Sequence, residues 1–298
     1  MEHKGYVQNS YTEEHQGVLY LVATPIGNLS DMTERAVEVL RDVDIIAAED
    51  TRQTRKLLQV YNISTRLISY HEHNKQQKGE TLLHDLQQGK RIALVSDAGL
   101  PGVSDPGADI AQLAVQAHIP VIPIPGVSAS LTSLIASGLS TERFLFYGFL
   151  SRQKNRRKKE LESIKNLPFT IIVYEAPHRV IDALEDMHEV LGDRQISVGR
   201  ELTKKFEQFI RGSINFCRDV LLNQKIQGEF TIIIEGVSEA EQEAYESNRQ
   251  WWSGMTPFEH VEAYIAQGES SKDAIKRTAK DRDVQKREIY QAYHGLDS

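Results

Sequence analysis

The chain has 298 residues, 40% of them apolar, with 9 prolines and 19 glycines; this excludes disordered, collagen-like and low-complexity proteins and leaves a globular chain of about two domains. Its 35 basic and 42 acidic side chains give a net charge of −7, so a polyanion must be met by a local patch rather than by the field of the whole molecule. Its single cysteine, Cys217, closes no internal disulfide and builds no thiolate metal site; it falls on an apolar helical pattern and is expected in the core, and the composition fits a reducing cytoplasm.

Along the chain, short apolar runs alternate with helical patterns. Residues 1–16 are polar, lack the apolar core of a secretory signal and are expected to form a flexible extension. Strands are predicted at Val18–Ala23, Ile45–Ala48, Leu67–Ser69, Ile92–Ser96 and Val121–Ile124. Helices are predicted at Glu34–Val43 and around Arg52–Tyr61, Lys78–Leu86 and Ala108–Ala117. This alternation predicts a mainly parallel sheet covered on both faces. The charge-free stretch from Ile110 to Thr141 is long enough to span a membrane, but its prolines, glycines and serines read instead as a buried strand, a tight turn and a small-residue helix.

A second set follows, with strands at Phe144–Leu150, Phe169–Tyr174, Ile196–Arg200 and Phe230–Glu235. Its helices fall near Arg157–Ile164, Val180–Leu191 and Ile214–Leu222. The expectation is therefore an α/β protein with domains at 17–138 and 139–237, then a helical tail at 238–298. Val237–Asn248 carries Glu239, Glu241, Glu243 and Glu246 without a Lys or Arg and reads as a solvated acidic segment. The tail shows an apolar set at Val261 and Ile265, a break at Gly268, a Ser270/Ser271 cap, then two short helical segments around Ala274–Ala279 and Val284–Tyr293 that resemble a helix-turn-helix. A docking bundle anchored by Trp251 and Trp252 is the alternative.

Three turns rich in Gly, Pro and Asx residues each follow a predicted strand: Ala23–Asn28, Ser96–Gly107 and Pro125–Ala129. In open α/β sheets, ligands sit beyond the carboxyl ends of the strands, where glycines let backbone approach and exposed amides bond. Three such turns together predict one cleft. No G-x-G-x-x-G follows the first strand, and Gly89-Lys90 lacks the upstream spacing of a P-loop, so dinucleotide and triphosphate sites have no sequence support. His71 and His73 flank Glu72, but no third ligand accompanies them, so no metal is expected.

The blocks LYLVATPIGNLSDMTERA, AAEDTRQTRKLL, ISYHEHN, ALVSDAGLPGVSDPG, PIPGVSAS, SGLSTERFLFYGFL, YEAPHR, GRELTKKFE and GEFTIIIEG keep their order from Leu19 to Gly236. They resemble the tetrapyrrole-methylase superfamily and, within it, the 16S ribosomal RNA cytidine 2′-O-methyltransferases. The resemblance implies two α/β domains of the tetrapyrrole-methylase type with a cleft between them, S-adenosylmethionine as methyl donor, and a decoding-centre ribose of 16S rRNA in the small ribosomal subunit as acceptor. It further implies a cytoplasmic enzyme without a membrane association, and a homodimer. Carried over by block, the donor site corresponds to Pro25 and Ile26, Asp97 and Leu100, Ser128 and Ala129, Tyr174 and Glu175, and Glu229 and Phe230. The chain departs from the family pattern at Leu100, Val127 and Ser151, and the first removes a hydroxyl from a donor-contact position.

A ribose 2′-hydroxyl is a poor nucleophile while protonated, so a nearby carboxylate, histidine or lysine of lowered pKa could take its proton as bonding develops. Candidates are Glu49, Asp50, His178 and Glu201. Arg52 and Arg55 join the first two in a cluster that faces the acceptor on one reading and caps a helix on the other. Arg152, Lys154, Arg156, Arg157, Lys158 and Lys159 place six cations in eight residues, enough to neutralise several phosphates of an RNA. Two other readings stay open: a methyltransferase of the same superfamily acting on a corrinoid, tetrapyrrole or protein side chain, and a non-catalytic nucleic-acid binder.

Overall fold

Five apolar runs, too short for helices and bounded by turns, form the first sheet of the computed structural model, which describes residues 5–10, 17–238, 240–242 and 251–295. The strands are β1 (Val18–Val22), β2 (Ile45–Ala48), β3 (Arg66–Ser69), β4 (Arg91–Val95) and β5 (Val121–Ile124), all parallel in the order β3-β2-β4-β1-β5. Helices α1 (Glu34–Asp42), α2 (Thr51–Val60), α3 (Lys75–Gln87) and α4 (Ala108–Gln116) cover it. One core joins Val18, Val22, Ile46 and Val95 to Leu40 of α1 and Leu58 of α2; the other joins Leu19, Ile45 and Leu94 to Leu82 of α3 and Ile110 of α4. Both faces of the sheet are thus dry, which is why its strands read as continuous apolar runs.

The register sets the position of the site. Val22 of β1 lies beside Val95 of β4 and Ile124 of β5, and Ala48 of β2 lies beside Val95. Because the strands are parallel, the segments that follow these four residues leave the sheet at one edge and at one level.

The second sheet is mixed. Its strands β6 (Phe144–Phe149), β7 (Thr170–Glu175), β8 (Gln195–Arg200), β9 (Gln208–Ser213) and β10 (Phe230–Ile234) are ordered β6-β7-β10-β8-β9; only β6 and β7 run parallel. Helices α6 (Lys154–Ile164), α7 (Val180–Leu191) and α8 (Ile214–Leu222) share its main core through Leu161, Leu184 and Leu221. Helix α5 (Ala129–Ser137) follows the last strand of the first sheet yet packs on the other face of the second, with Leu134 against Ile172 and Ile233. Its small buried side chains Ser130, Ser133 and Ser137 allow that close approach. The two expected sheets are therefore present, joined through α5; strand β9 was not among the predicted elements, and α6 begins at Lys154 rather than Arg157.

Contacts divide the chain into two compact units, Met1–Gly236 and Val237–Ser298. In the second, α9 (Pro257–Ala266), α10 (Ser271–Asp281) and α11 (Lys286–His294) bury Val261, Tyr264, Ile275 and Ile289 together. Thr256 and Glu259 form a capping box on α9, and Ser270 accepts the Asp273 amide at the start of α10. Trp251 and Trp252 pack on His260 within this unit, with ring centroids 5.0 and 5.2 Å away. These three helices correspond to the expected apolar set at Val261 and Ile265 and to the two expected segments, with shifted bounds.

Of the extension expected over 1–16, only residues 5–10 are described. Tyr6 stacks on His118 at 4.5 Å, and the Gln8 amide exchanges bonds of 3.1 and 3.0 Å with the Val121 backbone. The acidic residues Glu239, Glu243 and Glu246 lie outside the described residues. Among the described residues, no helix is long and apolar enough to cross a membrane; Ile110–Thr141 divides into α4, β5 and α5.

Candidate active site

The three turns meet. Thr24 and Gly99 exchange backbone bonds of 2.9 and 3.0 Å, the Ala23 amide donates to the Ile124 carbonyl at 3.2 Å, and the Thr24 hydroxyl donates to the Ser96 carbonyl at 3.1 Å. Gly126 packs so closely on Ala23 that a Cβ there would lie 2.6 Å from the Ala23 methyl. Gly99 holds a left-handed backbone with φ of 81°, a conformation glycine adopts without the Cβ penalty. Strand-end glycines therefore lock the turns to each other and leave a space beside them.

That space is a cavity of about 420 Å³, within the range of small-molecule sites. The first half contributes Ile26, Glu49, Asp97, Gly99, Leu100, Asp105, Ser128 and Ala129 to its wall. From the second sheet come Phe149, Tyr174, Glu175, Phe230 and Thr231, with Glu229 just before β10. These are neighbours because Phe149 pairs with Tyr174 across β6 and β7, and Phe230 pairs with Glu175 across β10 and β7. The Tyr174 hydroxyl accepts the Ser130 amide at 3.1 Å, tying the second sheet to the start of α5. Burial pushes the Tyr174 phenol up, so it stays protonated.

Five carboxylates, from Glu49, Asp97, Asp105, Glu175 and Glu229, face this cavity, and among the described residues no Lys, Arg or His lines it. Crowded carboxylates leaving water favour the protonated form. Burial first, then the charges of Glu49, Asp97 and Glu229, push the Asp105 carboxyl up to about 6. Burial, then Asp97, raises that of Glu49. Glu175 is fully buried and raised chiefly by that burial; it accepts from the Ala176 amide at 2.8 Å and from Arg179 at 3.2 Å.

Nine of the ten predicted donor-site residues line the cavity; Pro25 sits in the first turn but is not part of the wall. Of the predicted proton acceptors, Glu49 lines it, whereas Asp50, His178 and Glu201 do not. Asp50 caps α2 by accepting the Arg52 amide at 2.8 Å and pairs with the Arg52 guanidinium at 3.0 Å, contacts that hold its carboxyl down to about 2. Such a group is a weak base, and the capping reading describes it. Glu201 is paired with Lys204 at 3.0 Å. Asp97 does more than line the wall: its carboxylate accepts the Asp50 amide at 3.0 Å, fixing the start of α2 to the second turn.

Asp105 was missed, as were Phe149 and Thr231. Asp105 lies inside the second turn that the sequence singles out, in Ser104-Asp105-Pro106-Gly107; the Asp105-Pro106 pair, a second turn signal within one long loop, was the available one.

The cation run divides into two populations. Arg152, Lys154, Arg156 and Lys159 are exposed. Arg157 is not: it is 4% exposed, and its guanidinium bonds the buried Asp186 at 2.7 and 2.5 Å. The expectation that Arg157 meets RNA is corrected, because the α6 turn that carries it faces the core. Lys158 is partly withdrawn as well, pairing with Glu189 at 2.5 Å. Arg52 is 85% exposed and Arg55 is exposed, so both are open to a partner. His71 meets Asn74 at 3.2 Å and His73 edge-on at 6.0 Å; among the described residues no cluster of three or more metal-ligating side chains occurs. Cys217 is buried in the core, and its thiol is pushed up to about 11 by burial.

Residues 18–215 match the family described as Tetrapyrrole (Corrin/Porphyrin) Methylases. The chain is 55% identical over 278 residues to the ribosomal RNA small subunit methyltransferase I of Bacillus subtilis, covering 93% of this chain and 94% of that one. It is 52% identical over 288 residues to the protein of the same name from Halalkalibacterium halodurans, covering 96% and 98%. A solved diphthine synthase shares the fold with a TM-score of 0.58 at 13% identity, over 76% of this chain and 93% of that one. The strand-end turns, the mixed second sheet and these relationships agree: the chain belongs to the tetrapyrrole methylases and, within them, to the family of ribosomal RNA small subunit methyltransferase I.

Proposed function

We propose that the chain uses S-adenosylmethionine to methylate the 2′-hydroxyl of a cytidine in the decoding centre of 16S ribosomal RNA. The observation that carries this reading is a charge division: a cavity walled by carboxylates and apolar side chains, with no cation lining it among the described residues, accompanies an exposed cationic face on α6. A sulfonium donor fits the first and a polyanionic acceptor the second. The relatives named for small-subunit ribosomal RNA support the acceptor.

Pro25 and Ile26, Asp97 and Leu100, Ser128 and Ala129, Tyr174 and Glu175, and Glu229 and Phe230 would hold the donor. Bound there, the donor supplies an electrophilic methyl group whose sulfur leaves as a neutral thioether. The protein's part is alignment, which turns locked to one another at strand ends perform, together with removal of the hydroxyl proton. Asp105 is the proton acceptor in this reading. Its carboxyl, raised to about 6, is ionised at neutral pH yet basic enough to accept a proton as the oxygen bonds carbon. Glu49 supports it by charge, and Asp50, His178 and Glu201 serve outside the proton transfer.

The acceptor is proposed to be the assembled small subunit in the cytoplasm. The chain is proposed to act as a homodimer, supported by the exposed Leu131 and Ile135 on α5. The same reading treats 17–138 and 139–237 as the two halves around the cavity, with 1–16 and 238–298 as appendages. Unmodified small subunits, free 16S rRNA and a tetrapyrrole, each given labelled donor, test the substrate. Label in the rRNA of subunits is expected; label in the tetrapyrrole or in protein, or none at all, overturns the reading.

The cationic face makes its own prediction. Replacing Arg152, Arg156 and Lys159 together with Ala removes exposed charges and leaves the Arg157–Asp186 pair in place. With each lost phosphate contact worth about 0.7–0.9 in the slope of log affinity against log salt, the slope for subunit binding should fall by about 2. Donor affinity by calorimetry should stay unchanged.

A further inference from the structure

The segment from Glu201 to Glu207 is a short surface loop between β8 and β9, built more tightly than a connection requires. Glu201 and Thr203 hold left-handed backbones, with φ of 51° and 65°, although neither is glycine; such conformations persist only where surroundings impose them. The surroundings are visible. The Thr203 amide donates to the Glu207 carboxylate at 2.7 Å, the Lys204 amide to the Glu201 carbonyl at 3.1 Å, and Leu202 is buried beneath. Glu201 and Lys204 pair at 3.0 Å.

The loop is also pinned to the cavity's rim on two sides. The Asn28 amide donates to the Thr203 hydroxyl at 3.1 Å, and the Lys204 stem packs on Gly27, one residue beyond the lining Ile26. On the other side, Glu201 rests on Gly228, where any side chain would collide with it, one residue before the lining Glu229. Near the end of this fixed loop, two residues before β9, stands Phe206, 75% exposed, with the Lys205 ammonium 5.6 Å from its ring centroid. A lone exposed apolar side chain needs no explanation. A rigidly mounted one beside a cavity, flanked by a cation, has the form of a stacking surface for single-stranded nucleic acid.

We propose that Phe206 is a platform on which an unstacked base of the acceptor RNA, next to the target nucleotide, lies during methylation, with Lys205 meeting the adjoining phosphate. This rests on the reading of the acceptor as RNA. Stacking calls for an aromatic ring rather than a merely apolar side chain, and the pinned loop keeps a base held there at a fixed distance from the cavity.

The test compares Phe206→Ala, Phe206→Leu and Phe206→Trp in methylation of unmodified small subunits, with KM and kcat measured separately and donor affinity followed by calorimetry with S-adenosylhomocysteine. Phe206→Ala should raise KM for subunits about tenfold and leave donor affinity intact; Trp should restore it and Leu should not. An unchanged KM for Ala, or rescue by Leu equal to that by Trp, overturns the platform. So does a shift from dimer to monomer for Phe206→Ala in sedimentation, which would make the partner a second copy of the chain. If the unaltered chain transfers methyl to rRNA and the variants match it, this inference alone fails; if the unaltered chain transfers none, the acceptor reading fails and takes the platform with it.

Discussion

Asp105→Asn should lower kcat by about a hundredfold or more, the usual scale for loss of a proton acceptor, while donor affinity remains near that of the unaltered chain. The carboxyl is raised to about 6 by burial and by Glu49, Asp97 and Glu229. In the unaltered protein kcat should therefore fall as pH drops through about 6, and this limb should vanish in the Asn variant. Glu49→Gln removes one of the charges that raise Asp105, so the limb should move to more acid pH. Stability follows the opposite course. Because the folded carboxyl titrates above its ordinary value of 3.8, the stabilisation its protonated form provides is fully present below that value and is lost as pH rises through about 6. Asn carries no such charge, so at pH 8 the thermal midpoint of Asp105→Asn should equal or exceed that of the unaltered chain. Activity lost with stability kept separates a chemical role from a structural one; unchanged kcat would remove Asp105 from the proton transfer.

Arg157→Ala should destabilise the chain by about 3 kcal/mol, the lower end of the range for breaking a buried ion pair. Asp186 is 1% exposed, and Arg157 is its close partner; Lys154 and Lys158 approach its other oxygen at 3.7 and 3.8 Å and soften the loss. Replacing both members with apolar side chains of similar size, Arg157→Met with Asp186→Leu, should recover most of the stability, because no charge then remains buried. Arg156→Ala removes an exposed pair with Glu160 at 3.3 Å and should change stability by about 0.5 kcal/mol or less. Urea midpoints at constant slope distinguish the three; equal losses for Arg156 and Arg157 would contradict the division of the run into a buried and an exposed population.

That division shows where the sequence was readable and where it was not. Arg157 stands four and seven positions before Leu161 and Ile164, which are buried on the same helix. Helical spacing puts all three on one face, so the buried arginine was legible in the periodicity, but six cations within eight residues present themselves as a solvated face. The parallel strands were legible for the opposite reason: β2 and the Ile92–Val95 stretch of β4 are buried throughout, β1 largely so, and each leaves an apolar run. Strand β9 leaves none. It is an edge strand paired only to β8, with Arg211 exposed and Gly212 at a φ of 154°, and one-sided pairing erases the signal that a central strand must carry. The cleft was legible because strand-end position is a one-dimensional property once the strands are placed, whereas the individual donor-site residues were implied by the family resemblance carried over block by block. Asp105 required the third dimension: it lies ten residues beyond β4, and only the folding back of the Ser96–Gly107 turn, with Gly102 and Gly107 both left-handed, turns its carboxyl toward the cavity.

The most direct measurement is the position of the transferred methyl group. Unmodified small subunits are incubated with methyl-labelled S-adenosylmethionine and the chain, and the rRNA is digested to nucleosides and separated. Label is expected in 2′-O-methylcytidine, present with the unaltered chain and strongly reduced with Asp105→Asn. Label on a base atom, or full labelling by the Asn variant, would contradict the proposed function.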